Sequence, residues 1–157
     1  MTTGRVCSIH TAPEKGAPME THTAIEAIAG RGLAGDRYAG FAGTYSGVRV
    51  PDEQRAITLF EQETLAALVA EHGIVLAAHE TRRNLVTEGL PLNDLVGRAF
   101  RVGEVELRGV DLAHPCAYLE GLTRPGVLGA LKSHGGVRAE ILTGGTITVG
   151  DPIEVGR

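Results

Sequence analysis

The triplet His114-Pro115-Cys116 carries more reactive chemistry than any other part of the chain. It places a thiol at the end of a strand, fixed by a proline and ahead of a short helix expected over Ala117 to Leu122. A thiol near a helix N-terminus favours thiolate, the form that attacks sulfur or binds a soft metal. The plain alternative is a buried structural cysteine, because cysteine is among the most buried residue types. Cys7 lies inside the apolar stretch Val6 to Ile9, and there the buried reading dominates. Both thiols are expected to be free in a reducing compartment, since a domain of this size needs no disulfide staple.

Three further segments could hold an anion. Thr81-Arg82-Arg83-Asn84 brings together two guanidinium groups and an amide. Arginine's planar donors match phosphate oxygens two at a time. In extended backbone the two arginines would point to opposite faces, so one could bind an anion while the other pairs on the surface. An ordinary salt-bridged or solvated pair is the alternative. His134-Gly135-Gly136-Val137-Arg138 reads either as an amide nest with an added charge or as a turn into a strand. Gly30-Arg31-Gly32-Leu33-Ala34-Gly35 spells the dinucleotide fingerprint, but no helical apolar period follows it. It reads instead as a tight turn, with Asp36 bonding loop amides at a pocket wall. A zinc site built from His114, Cys116 and His134 lacks any paired C-x-x-C spacing.

These residues must be positioned by a mainly β scaffold. The 157 residues fit one domain, and 43% hydrophobic residues suffice for a core. Twenty-two glycines without a repeat imply many tight turns, which suit a barrel better than a helix bundle. Strands are expected at Val6 to Ile9 and Thr21 to Ala29, with residues 1–4 as a tail and a long loop over about 40–54. Thr58 with Glu61 reads as a capping box opening an amphipathic helix, with Leu65, Leu68 and Val69 on one face and Gly73 as its stop. Gly103-Glu104 marks a two-residue hairpin. The apolar phase slips from odd (Val105, Leu107) to even (Val110, Leu112), which predicts a bulge at Gly109 that re-aims the strand running to Cys116. Gly144-Gly145 reads as a second hairpin turn, and Gly150-Asp151-Pro152 as the turn into a last strand, Ile153 to Val155.

The net charge of −4 and the 4% aromatic content argue against a nucleic-acid binder. The start shows no signal-peptide pattern, and Glu71 and His72 interrupt the longest apolar stretch, so a cytoplasmic protein without membrane contact is expected.

In order along the chain, Gly32-Leu-Ala-Gly35-Asp36-Arg37-Tyr38, Arg55-Ala-Ile-Thr58-Leu-Phe-Glu61, Arg82-Arg83-Asn84-Leu-Val86, Gly97 with Phe100-Arg-Val-Gly103, Pro115-Cys116-Ala-Tyr-Leu119-Glu120, Gly136-Val-Arg138, Gly144-Gly145 and Val149-Gly150-Asp151 resemble the MOSC domain, named after the C-terminal part of molybdenum-cofactor sulfurases. The resemblance covers roughly Val6 to Val155. It implies a mostly β (α+β) fold: a single MOSC-type β-barrel domain over residues 1–157 with a few short peripheral helices. It implies that Cys116 is the family's characteristic cysteine, as catalytic residue and molybdenum ligand or as a sulfur carrier. Arg82, Arg83, Asn84 and Arg138 become candidates for holding the pterin phosphate and amides of a molybdenum-pterin cofactor, with Asp36 at the pocket wall. Some relatives of this family reduce N-hydroxylated bases and amidoximes. The sequence here carries neither a pyridoxal-phosphate desulfurase domain nor the extra N-terminal β-domain of the amidoxime reductases, so a separate protein is expected to deliver electrons or sulfur. Three functions stand side by side: a molybdenum-dependent reductase of N-hydroxylated small molecules, a carrier holding a persulfide on Cys116, and a non-catalytic binding module. Monomer and homodimer both stay open.

Overall fold

The computed structural model describes residues 2–14, 17–36, 56–113, 123, 126, 129, 131 and 134–155. In chain order the elements are β1 (Thr2–Thr11), β2 (Glu20–His22), β3 (Ala24–Ile28), β4 (Gly32–Leu33), β5 (Ile57–Glu61), α1 (Gln62–His72), β6 (Leu85–Glu88), β7 (Ala99–Val102), β8 (Val105–Leu112), β9 (Val137–Thr143), β10 (Gly145–Thr148) and β11 (Pro152–Val155). Two 3-10 turns, Ala78–Thr81 and Leu92–Leu95, precede β6 and β7. Seven strands run in the order β11-β7-β8-β9-β5-β6-β1, and β1 pairs back onto β11 to close a barrel. Closure removes the exposed edges that an open sheet would leave. β1 serves three neighbours because it is long: Thr2 to Arg5 pair with β11, Arg5 to Ile9 with β6, and Ile9 to Thr11 with β2. Residues 2–4, expected as a tail, therefore lie inside a barrel strand.

Every barrel pairing is antiparallel except β5–β6. A parallel pair needs a crossover, and α1 supplies it. β5 is buried on both faces. Ile57 and Leu59 join the main core inside the barrel, while Phe60 packs outside with Leu65, Leu68, Leu76, Val86 and Leu131. Such a strand reads as a continuous apolar run. This overturns the capping-box expectation: Thr58 is a strand residue, the helix begins at Gln62, and Glu61 at its N-cap makes no side-chain cap bond. Val69, expected on the packed face, is 50% exposed. The stop at Gly73 is as expected, in left-handed conformation with its N–H bonded to the Val69 carbonyl.

The region expected as one strand from Thr21 to Ala29 splits at Thr23 into β2, on the barrel, and β3, in a separate sheet ordered β10-β3-β4. Gly30 and Arg31 form the β3–β4 turn, with the Arg31 N–H bonded to the Ile28 carbonyl, so the glycine-rich segment is a hairpin. Gly144-Gly145 is not a hairpin turn. β10 leaves its predecessor β9 and pairs with β3, carrying the chain from the barrel into the second sheet. Gly103-Glu104 does close a two-residue hairpin, with Val102 opposite Val105.

The bulge at Gly109 is present: the β8–β9 register shifts between Gly109 and Asp111. Glycine is required there, because a Cβ would stand 2.0 Å from the Leu95 carbonyl oxygen. The expected loop over about 40–54 and the short helix over Ala117 to Leu122 lie outside the described residues.

One core residue is mismatched to its surroundings. Thr87 is fully buried, and among the described residues its hydroxyl has no hydrogen-bond partner. Thr87→Val replaces that hydroxyl by a methyl of similar shape. It is expected to raise the unfolding free energy by about 1 kcal/mol in urea denaturation. A loss of stability would show that the hydroxyl is satisfied in solution.

Candidate functional site

One rung is polar across five strands of the barrel and the attached β2. Asp111 of β8, Arg138 of β9 and Thr58 of β5 are successive register partners. The Thr58 hydroxyl accepts from the Asn84 backbone N–H at 3.0 Å, so Asn84 continues the line at the start of β6. The Asn84 carbonyl accepts from the His10 N–H of β1 at 2.7 Å, and His10 pairs with Thr21 of β2. On the adjacent rung, Leu112, Val137, Leu59, Leu85 and Ile9 are partners and pack in or against the barrel core. Side chains alternate along strands, so the polar rung faces outward. The bulge at Gly109 brings Asp111 onto it. Without the extra residue, Asp111 would share the inward phase of Val105 and Leu107.

Hydrogen bonds stitch the rung together. Arg138 forks onto Asp111, with Nε donating to Oδ1 at 2.8 Å and Nη2 to Oδ2 at 2.5 Å. Asn84 is buried. Its Oδ1 accepts from the Thr58 backbone N–H at 3.0 Å and from the Thr58 hydroxyl at 3.2 Å, and its Nδ2 donates to the His10 carbonyl at 3.0 Å. The His10 ring is also buried, with Nδ1 3.1 Å from the Thr21 hydroxyl and Nε2 2.8 Å from the Ser8 hydroxyl. Burial, reinforced by the nearby His79 and His22 rings, pushes the His10 pKa down to about 4.

The two arginines stand at the head of β6. The 3-10 turn ends at Arg82, whose φ of 60° is the left-handed conformation, unusual for a residue with a Cβ. Among the described residues no other non-glycine adopts it. The turned backbone sends the two guanidiniums to different segments. Arg82 Nη1 donates to the Ala17 carbonyl at 2.5 Å. Arg83 donates from Nε to the Gly135 carbonyl at 2.8 Å and from Nη2 to the Ala113 carbonyl at 3.0 Å. The Ala113 N–H in turn donates to the Gly136 carbonyl at 2.8 Å. Arg83 thus clamps the end of β8 to the approach to β9, three residues ahead of Cys116 in sequence. Asp36, also buried, accepts from the Ala12 N–H at 2.9 Å and ties the segment after β4 to the end of β1.

Of the six sequence candidates, Asn84 and Arg138 lie on this rung, Arg82 and Arg83 directly precede Asn84 in sequence, and Asp36 is bonded to Ala12, two residues beyond His10. The sixth, Cys116, lies outside the described residues, as does His114. Sequence reasoning missed Thr58 and His10. The available signal was a polar residue inside an apolar strand, and for Thr58 the capping pattern obscured it.

An open groove of about 600 Å³ lies at the opposite end of β6, lined by Thr3, Arg5, Glu63 and Glu88 among others. Arg5 pairs with Glu88, and Glu63 accepts from the Gly89 N–H at 2.8 Å. Cys7 is a free thiol at a β1 bulge, and burial followed by the Glu88 charge pushes its pKa up, so the thiol form is favoured. None of the described sequence candidates lines this groove. Among the described residues no group of three His, Cys, Asp or Glu side chains is arranged to hold a metal, and no helix is long and apolar enough to cross a membrane.

The family model of the MOSC domain matches residues 29–154, and the chain belongs to that family, one associated with the molybdenum cofactor. Among solved structures, the YuaD protein of Bacillus subtilis superposes with a TM-score of 0.79 at 17% identity, over 98% of this chain and 95% of that one. YiiM from Geobacillus stearothermophilus gives 0.74 at 16% identity, over 98% and 75%. YiiM from Escherichia coli gives 0.67 at 19% identity, over 100% and 70%. A search of curated protein sequences gives no match.

A pterin phosphate needs fixed cationic donors beside a soft metal ligand. The donor set fits at the arginine pair. Arg82 and Arg83 are half-buried, and hydrogen bonds to backbone carbonyls fix their guanidiniums in place. Asn84 and Arg138 differ, because their polar groups are bonded to Thr58, His10 and Asp111.

Proposed function

We propose that this MOSC protein binds a molybdenum-pterin cofactor beside the Arg82–Arg83 pair, takes Cys116 as metal ligand, and reduces N-hydroxylated small molecules. The observation that carries the reading is the Arg83 clamp on Ala113, which ties the strand leading to Cys116 to a fixed positive charge. When bound, the cofactor supplies a two-electron centre at which an N–O bond is reduced to N–H with release of water. The chain's own work is positioning. Arg82 and Arg83 meet the cofactor's anionic end, and Cys116 ligates as thiolate. Asn84, Arg138 and Asp36 act behind them, holding β6 to its neighbours, β9 to β8, and the segment after β4 to β1. A separate redox protein delivers the electrons.

The test is reduction of an aromatic hydroxylamine by protein loaded in a cofactor-producing host, with a chemically reduced viologen as donor. Turnover in the parent and its loss in Cys116→Ser are expected. No turnover, together with one reductant-labile sulfur added to the mass of Cys116, would replace this reading with sulfur transfer. Neither signal would leave a binding module.

A further inference from the structure

β2 is a three-residue strand at the end of its sheet, and it pairs with β1 alone. His10 gives its backbone N–H and carbonyl to Asn84 on the other side, so the β1–β2 ladder runs through Ile9 with His22 and Thr11 with Glu20. Side chains supply the rest of the seam. The His10 ring reaches the Thr21 hydroxyl, and the His22 ring reaches the Thr11 hydroxyl at 2.8 Å. Beyond β2 the chain enters the second sheet at Thr23, whose carbonyl accepts from the Val149 N–H at 2.9 Å. Ahead of β2, the Ala17 carbonyl accepts from Arg82. The strand therefore links a buried histidine to one of the two arginines of the candidate site.

Thr21 is exposed, while the ring that it holds is 2% exposed, so lifting β2 opens the ring to water on that side. Two titratable groups act on the ring, His79 of the 3-10 turn before β6 and His22 of β2, and both oppose a positive charge there. The carboxylates on the surrounding elements are placed elsewhere. Glu20 alternates with Thr21 and lies on the other face of β2, Glu80 accepts from the Ala77 N–H, and Asp36 accepts from the Ala12 N–H. Arg82 and Arg83 carry the same sign as a protonated ring. β5, β6 and β1 offer Thr58, Asn84 and Ser8, which do not titrate. A proton on His10 is thus disfavoured while β2 is closed and accepted once water reaches the ring. We propose that β2 is an acid-opened latch: a proton on His10 traps the open form, the strand turns away about Thr23, and the Ala17 carbonyl leaves Arg82. The latch goes beyond the cofactor reading and needs neither cofactor nor Cys116.

The test is amide hydrogen exchange of the full chain, read by mass spectrometry on peptides covering β2 and β8, at pH 7.5 and pH 5 and in low concentrations of urea. The open ring titrates at 6.5 and the closed one at about 4. Protection across β2, corrected for intrinsic exchange, is therefore expected to fall about 30-fold from the higher pH to the lower. Only the strand opens, so this exchange is expected to be nearly independent of urea, unlike exchange in β8. His10→Gln is expected to abolish the pH dependence. Thr21→Val removes the hydroxyl on the exposed side of the seam and is expected to speed exchange about fivefold at both pH values. Protection that does not fall with acid overturns the proposal, as does β2 exchange with the urea dependence of β8, which would mean that the strand opens only when the barrel unfolds. A folded His10→Gln with the parent's pH dependence, or a Thr21→Val variant with the parent's exchange, also overturns it.

Discussion

Asn84→Ala is expected to lower the unfolding free energy by about 4 kcal/mol, enough to leave a marginally stable domain partly unfolded. The side chain is 3% exposed and makes three hydrogen bonds to β5 and β1. Truncation strands the Thr58 N–H and the His10 carbonyl in a buried setting, each at a cost of about 1–3 kcal/mol, and opens a small cavity. Asn84→Asp keeps the acceptor but sets a carboxylate against the His10 carbonyl, so it should also destabilise. Urea denaturation of the parent and both variants measures the effect. A loss below about 1 kcal/mol for the alanine variant would mean that these bonds are not tight in solution.

Acid sensitivity is the second large effect. The His10 imidazole takes a proton at its ordinary pKa of 6.5 in the unfolded chain but only near 4 in the fold. Above pH 6.5 neither state is protonated there, and the contribution to stability is constant. Between pH 6.5 and about 4 the unfolded state binds the extra proton, so stability falls as pH falls, by about 1.4 kcal/mol per unit and about 3 kcal/mol in total. The ring is 2% exposed, so solvent screening does little to reduce this. His10→Gln keeps hydrogen-bonding capacity for Thr21 or Ser8 without the proton uptake. The difference in stability between pH 7.5 and pH 4.5 should shrink by about 3 kcal/mol in the variant relative to the parent. Equal slopes in the two proteins would show that His10 does not carry the acid response.

The barrel was legible where local rules act alone. The two-residue turn at Gly103, the helix stop at Gly73 and the bulge at Gly109 each follow from one residue's conformational freedom or from a phase change between neighbours. Boundaries failed where partners distant in sequence decide the structure. Thr58 has an acceptable capping pattern with Glu61, but β5 is sandwiched between the barrel core and α1, and burial on both faces outweighs that local preference. Gly144-Gly145 has the composition of a hairpin turn, yet β10 finds its partner in β3, more than a hundred residues earlier in the chain. No local pattern encodes that choice.

The sequence singled out polar residues of the rung, but not the bonds that they make. From the residues alone, two adjacent arginines read first as an ordinary salt-bridged or solvated pair and second as anion donors. Their bonds to Ala17, Gly135 and Ala113 come from segments widely separated in sequence. Arg138 and Asp111 form a fork only because the bulge turns Asp111 outward. His10 carried no motif at all. Its importance lies in burial, which depends on the whole barrel.

Molybdenum per chain tests the central claim most directly. The measurement uses elemental mass spectrometry on protein from a host that makes the cofactor, with Cys116→Ser purified in parallel. About one molybdenum per chain in the parent and none in the variant is the expected result, as thiolate ligation requires. No metal in the parent, or equal metal in both proteins, would contradict the account.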